Sequence, residues 1–80
     1  QNPSILVQAN PQQKEIHIKT PAELLPASLD IYNISGTLIS SLILTDTHTR
    51  VSIASFQQGT YIYRINKLGK PLQSGKICIQ

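Results

Sequence analysis

The stretch Ser28-Leu29-Asp30-Ile31-Tyr32-Asn33-Ile34-Ser35-Gly36-Thr37-Leu38-Ile39 decides the fold. Leu29 and Ile31 alternate with Ser28, Asp30 and Tyr32, which is the period of a strand with one buried face. Asn33 and Gly36 then stand at the first and fourth positions of a type I turn. Gly at the fourth position can take the left-handed conformation that closes a bulged hairpin. The next strand runs from Thr37 to Leu44. Ser40-Ser41 breaks its apolar pattern, so a bulge or a change of face is expected there.

Period 2 extends in both directions from this hairpin. Upstream, Ser4 to Ala9 is a short apolar run, and Asn10-Pro11-Gln12-Gln13 breaks it. Glu15-Ile16-His17-Ile18-Lys19 alternates with Ile16 and Ile18 inward. Thr20 to Pro26 is a connection with two prolines and room for at most one helical turn. Downstream, Asp46-Thr47-His48 reads as a turn, and Thr49 to Ile53 as a strand with Val51 and Ile53 inward. Phe56 is expected to plug the core from a connection. Gly59 turns the chain into Thr60 to Ile65, where Tyr61, Tyr63 and Ile65 share the core face. Asn66-Lys67-Leu68-Gly69 repeats the spacing of Asn33 and Gly36, so a second hairpin of the same type is expected around Gly69. The last strand runs from Leu72 to Ile79, with Ile77 and Ile79 on one face and Cys78 on the other. Seven short strands at this spacing predict an all-β fold, a seven-stranded antiparallel immunoglobulin-like β-sandwich.

Composition narrows the function. The chain has 80 residues, enough for one small domain. Hydrophobic residues make up 40%, charged residues only 14%, and twelve residues are Ile. One Cys forms no internal disulfide. One Cys and two separated His give no zinc-ligand spacing. No apolar run is long enough for a membrane helix. The net charge is +3, but the bases are scattered and no basic cluster is interleaved with aromatics, so nucleic acid is not an expected partner. His17 and His48 read as separate surface histidines without partners. There is no Gly-x-Ser-x-Gly elbow, no phosphate loop and no paired carboxylates. We expect no enzyme and no cofactor. Asn33-Ile34-Ser35 matches a glycosylation sequon, but the turn explains Asn33 without a sugar. Because the chain opens at Gln1 and not at a methionine, it is expected to be a piece of a longer protein.

Four motifs, in order, give a resemblance. Asn10-Pro11 followed by Glu15 to Lys19 is the first. Leu29-Asp30-Ile31-Tyr32-Asn33-Ile34-Ser35-Gly36 is the second, Gly59-Thr60-Tyr61 the third, and Gly75-Lys76-Ile77-Cys78-Ile79-Gln80 the fourth. Together they resemble the C-terminal sorting domain of cargo proteins of the Bacteroidetes type IX secretion system. The chain departs from that pattern at Ala9, where a Pro is usual, in the longer insert from Pro21 to Pro26, and at Cys78. The resemblance implies that residues 1–80 are a single non-catalytic sorting-signal domain at the end of a larger cargo. It implies passage through the periplasm and the outer-membrane translocon to the cell surface or the medium. A sortase-like peptidase then usually removes the domain, around Gln1 and Asn2, and the cargo is attached to anionic lipopolysaccharide.

On this reading Lys76, Ile77, Cys78, Ile79 and Gln80 form the element the translocon recognises, supported by the turn residues Gly36 and Gly59. An open edge at the last strand suits strand addition, and the isolated domain is expected to be able to pair through an edge strand or through Cys78. The rival reading is a retained immunoglobulin- or fibronectin-like module for adhesion, spacing or carbohydrate binding. It predicts further sequence after Gln80 or exposed aromatics, for which only Tyr32 qualifies.

Overall fold

The computed structural model describes residues 4–80. The expected cleavage region at Gln1 and Asn2 lies outside them. The strands are β1 (Leu6–Asn10), β2 (Glu15–Lys19), β3 (Ala27–Asn33), β4 (Leu38–Leu44), β5 (His48–Ser52), β6 (Gly59–Lys67) and β7 (Lys70–Ile79). A single 3-10 turn, Ala22–Leu24, sits between the two prolines of the β2–β3 connection. Every strand pair is antiparallel. One sheet has the order β1-β2-β5, the other β4-β3-β6-β7. This is the two-layer sandwich that the alternation predicts, with the chain crossing between sheets after β2, β4 and β5.

The alternating isoleucines build the core. Ile16 and Ile18 of β2 are fully buried and belong to one core cluster with Leu29 and Ile31 of β3, Leu44 of β4 and Ile65 of β6. β-branched side chains suit this position because they fill a pleated surface with little rotamer freedom to lose. Ile77 and Ile79 bring β7 into the same cluster, and Phe56 packs against it from the β5–β6 loop.

The first hairpin forms as its sequence predicts. The Gly36 N–H donates to the Asn33 carbonyl at 3.0 Å, and the Asn33 N–H donates to the Thr37 carbonyl at 2.9 Å. Asn33 Oδ1 also accepts from the backbone N–H groups of Ser35 (3.0 Å) and Thr37 (2.9 Å). Gly36 has φ +90°, a value that favours glycine.

The second hairpin differs from expectation. Lys67 pairs with Lys70, so the loop has only two residues, Leu68 and Gly69. Both have positive φ, +52° and +78°, which is the type I′ geometry whose twist matches that of the flanking strands. Leu68 takes this left-handed conformation although it carries a Cβ, and its side chain, 93% exposed, projects into solvent. The shorter loop lengthens both strands beyond the expected Thr60–Ile65 and Leu72–Ile79. The irregularity expected at Ser40-Ser41 falls one residue earlier. Ser40 pairs with Ile31 and Leu38 with Tyr32, leaving Ile39 as the extra residue of a bulge. The bulge turns Leu38 to the outer face beside Tyr32.

Gly75 is a close-packing position. A Cβ there would lie 2.8 Å from Tyr63 Cε2 and 2.9 Å from its Oη. The Tyr63 ring is buried, and its hydroxyl accepts from Gln73 Nε2 at 2.9 Å, so it cannot shift freely. Gly75→Ala is expected to cost about 1–3 kcal/mol. Thermal denaturation followed by circular dichroism should show a clear fall in Tm. A Tm equal to wild type would contradict the packing at Tyr63. For the first hairpin, Asn33→Ala is expected to cost about 1–3 kcal/mol, because two turn N–H groups lose their acceptor. Asn33→Asp keeps both and should melt close to wild type. Equal losses for Ala and Asp would show that the side-chain oxygen does not hold the turn.

Candidate recognition site

Strand register brings the motif turns to one pole of the sandwich. The Asn10–Glu15 and Glu15–Ser52 pairs place the β1–β2 turn next to the end of β5. The Ile53 N–H donates to the Lys14 carbonyl across that junction, at 2.8 Å. Asn33 pairs with Tyr61, and Gly59 with Ile79, so the first hairpin turn, the start of β6 and the end of β7 meet at one end of the other sheet. A cleft of about 160 Å³ opens at this pole, with Ala9, Pro11, Lys14, Phe56, Ile79 and Gln80 in its lining. The two sheets therefore share the same pole. Gly69 lies at the opposite end, in the β6–β7 turn.

Most motif residues at the pole are spent on architecture. Asn10 closes its own turn, with Oδ1 accepting from the Gln13 N–H at 3.2 Å and Nδ2 donating to Gln13 Oε1 at 3.1 Å. Gly59 opens β6 at φ +147°, a conformation that is essentially restricted to glycine. Two residues on, the buried Tyr61 donates its hydroxyl to the Gln57 carbonyl at 2.7 Å. This is the tyrosine corner of immunoglobulin-like sandwiches, at the start of the strand that follows the crossover. It explains the Gly-x-Tyr motif as a device that fixes the β5–β6 corner. The phenyl ring of Phe56 packs on it, 5.3 Å between centroids.

A different set stays outward. Along β7 the side chains of Ile77 and Ile79 are buried, while Lys76, Cys78 and Gln80 are exposed. Two of the five residues of the expected recognition element are therefore core, and its outward part is Lys76, Cys78 and Gln80. Lys76 pairs with Ile62, Ile62 with Tyr32, and Tyr32 with Leu38. These four form one row across the outer face of the four-stranded sheet. Two residues from separate motifs, Tyr32 and Lys76, thus flank a single apolar side chain. The Arg64 guanidinium lies 5.6 Å from the centre of the Tyr32 ring and adds a second cation to the patch. Beside it, Ser41 donates to Asp30 Oδ1 at 2.6 Å. Tyr32 is half-buried between these neighbours, so it does not stand free as a flat aromatic platform.

Three arrangements escape a local reading of the chain. Gln73 Nε2 donates to the Ile5 carbonyl at 2.7 Å, and the Ile5 N–H donates to Gln73 Oε1 at 3.1 Å. One amide side chain so ties the lead-in to β1 to β7 across the two sheets. Gln73 is a plain polar strand residue in sequence, and the close approach of Gly75 to Tyr63 likewise appears only once the strands are paired. The Cys78 thiol faces the Thr60 hydroxyl at 3.8 Å on the outer surface. The two histidines are not isolated. Lys19 pairs with His48 and His17 with Arg50, so His17 and His48 are diagonal neighbours with ring centroids 5.6 Å apart. His17 Nε2 also lies 3.1 Å from Glu15 Oε1. Among the described residues, no group of three or more His, Cys, Asp and Glu side chains is placed to hold a metal ion.

Residues 9–80 match the family model described as the secretion system C-terminal sorting domain. No curated protein matches the chain. The match begins at Ala9, just before Asn10-Pro11, and takes in all four motifs and every strand except the first three residues of β1. The chain belongs to the C-terminal sorting domains of type IX secretion, which direct proteins across the outer membrane to the cell surface or the medium.

Proposed function

We propose that this domain is the address label of a larger cargo, and that the secretion machinery reads it through the outer face of the β4-β3-β6-β7 sheet. One observation carries the reading. Tyr32 and Lys76, from motifs far apart in the chain, stand in one cross-strand row with Ile62 between them. Neither is needed to fill the core, whereas Asn10, Asn33, Gly59 and Tyr61 are accounted for by turns and corners. An apolar centre flanked by Lys76 and Arg64 suits a receptor surface with a hydrophobic contact and a carboxylate beside it. The main-chain edge of β7 from Lys76 to Gln80 supplies a second contact by strand addition.

In this account the label acts as a folded unit. It carries no catalytic role and is met by the translocon after the cargo has entered the periplasm. A sortase-like peptidase then separates cargo from label, and the cargo is joined to anionic lipopolysaccharide. The carbohydrate-binding form of the alternative would need a free aromatic surface. Tyr32 lies beneath Arg64 instead.

The test uses the full-length cargo in its own host. Lys76→Glu is expected to lower the surface-located fraction about tenfold, equivalent to about 1.4 kcal/mol of lost recognition. Because Lys76 is exposed, the Tm of the variant domain should stay close to wild type. Leu68→Ser, at the opposite pole, should leave export unchanged. Full export of the Lys76→Glu, Tyr32→Ala double variant would overturn the reading.

A further inference from the structure

A sandwich of two open sheets has four edge strands, and three of them are guarded or already assigned. β7 carries Lys70 and Pro71 over its first half, where charge and proline discourage pairing with another chain, and its end from Lys76 to Gln80 is the edge assigned above to the secretion machinery. β1 is tied to β7 at its start by the double hydrogen bond between Gln73 and Ile5. β5 has only five residues, and His48 and Arg50 are two of them.

β4 carries neither charge nor proline, and its one irregularity is the bulge at Ile39. Its sequence, Leu38-Ile39-Ser40-Ser41-Leu42-Ile43-Leu44, has no glycine either. Thr37 and Thr45 extend the uncharged run on both sides. Ile43 is 62% exposed and Ile39 42%. One side of the strand pairs with β3, and among the described residues no other strand pairs with it. A long, apolar, uncharged edge is a template for an extended segment of the same character.

We propose that β4 pairs antiparallel with β4 of a second copy of this chain. The regular part of the strand beyond the bulge, Ser40 to Leu44, is uncharged and can pair with itself. Around a two-fold axis at Leu42, Leu42 faces its own copy, and Ile43 of each chain faces Ser41 of the other. No register within the run brings two charges together, so nothing opposes the pairing electrostatically. The two four-stranded sheets would join into one continuous sheet of eight strands. The pairing uses neither β7 nor Cys78, and so it is distinct from a disulfide link or an exchange of the last strand.

The test is the solution mass of the 80-residue chain across concentration, with reductant present to keep Cys78 free. Static light scattering should show a rise from monomer to dimer mass with a Kd on the order of 100 µM. Ile43→Lys places a charge on each side of the axis and should weaken association more than tenfold, while Lys76→Glu on β7 should leave it unchanged. Hydrogen exchange provides a check that needs no variant, since amides of β4 alone should slow as concentration rises. A wild-type chain that stays monomeric to about ten times that Kd overturns the proposal. So does a dimer that is indifferent to Ile43→Lys with the variant folded, or one whose protected amides lie in β7.

Discussion

The pairing of β6 with β7 is the interaction on which the rest depends. It runs from Gly59–Ile79 at the motif pole to Lys67–Lys70 at the opposite turn. The same strand serves two purposes because side chains alternate across a sheet. Inward, Ile77 and Ile79 complete the core. Outward, Lys76, Cys78 and Gln80 face solvent. The Gln73 amide then ties this strand to the lead-in of β1, in the other sheet, so the two layers are joined by hydrogen bonds as well as by apolar packing. A surface assembled in this way exists only in the folded domain, because the row from Lys76 through Ile62 to Tyr32 spans three strands.

The four motifs divide accordingly. The Asn-Pro turn, the Asn33–Gly36 turn and the Gly-x-Tyr corner fix chain reversals at one pole. Their polar atoms are used internally, by Gln13, by Ser35 and Thr37, and by the Gln57 carbonyl. Tyr32 and Lys76 belong to the same motifs but have their side chains on the outer face. The motif residues of this chain are thus of two physical kinds, those that bend the chain and those that the bent chain displays.

What could be read from sequence follows the range of each interaction. Alternation such as Glu15 to Lys19 or Ser28 to Tyr32 is local and marks strands directly. The first hairpin was legible because Asn33 carries its own turn acceptor. The second was not, because its type I′ form depends on Leu68 accepting a positive φ, which leucine rarely does. The bulge was expected at Ser40-Ser41 from polarity, but register sets it at Ile39. Cross-strand neighbours were the least visible. That His17 meets His48, that Gln73 reaches Ile5, and that Tyr32 shares a row with Lys76 all depend on pairings between distant segments. The motifs name residues one by one, and only the register shows which of them stand side by side.

The central claim is that this folded domain is sufficient as an export address, and a transplant tests it most directly. Residues 1–80 would be fused behind a soluble reporter in a host that carries type IX secretion, and the reporter located by surface labelling. The account predicts reporter at the cell surface or in the medium, and its loss from both when the Gly75→Ala change destabilises the fold. A fusion whose domain is folded but whose reporter stays in the periplasm would contradict it.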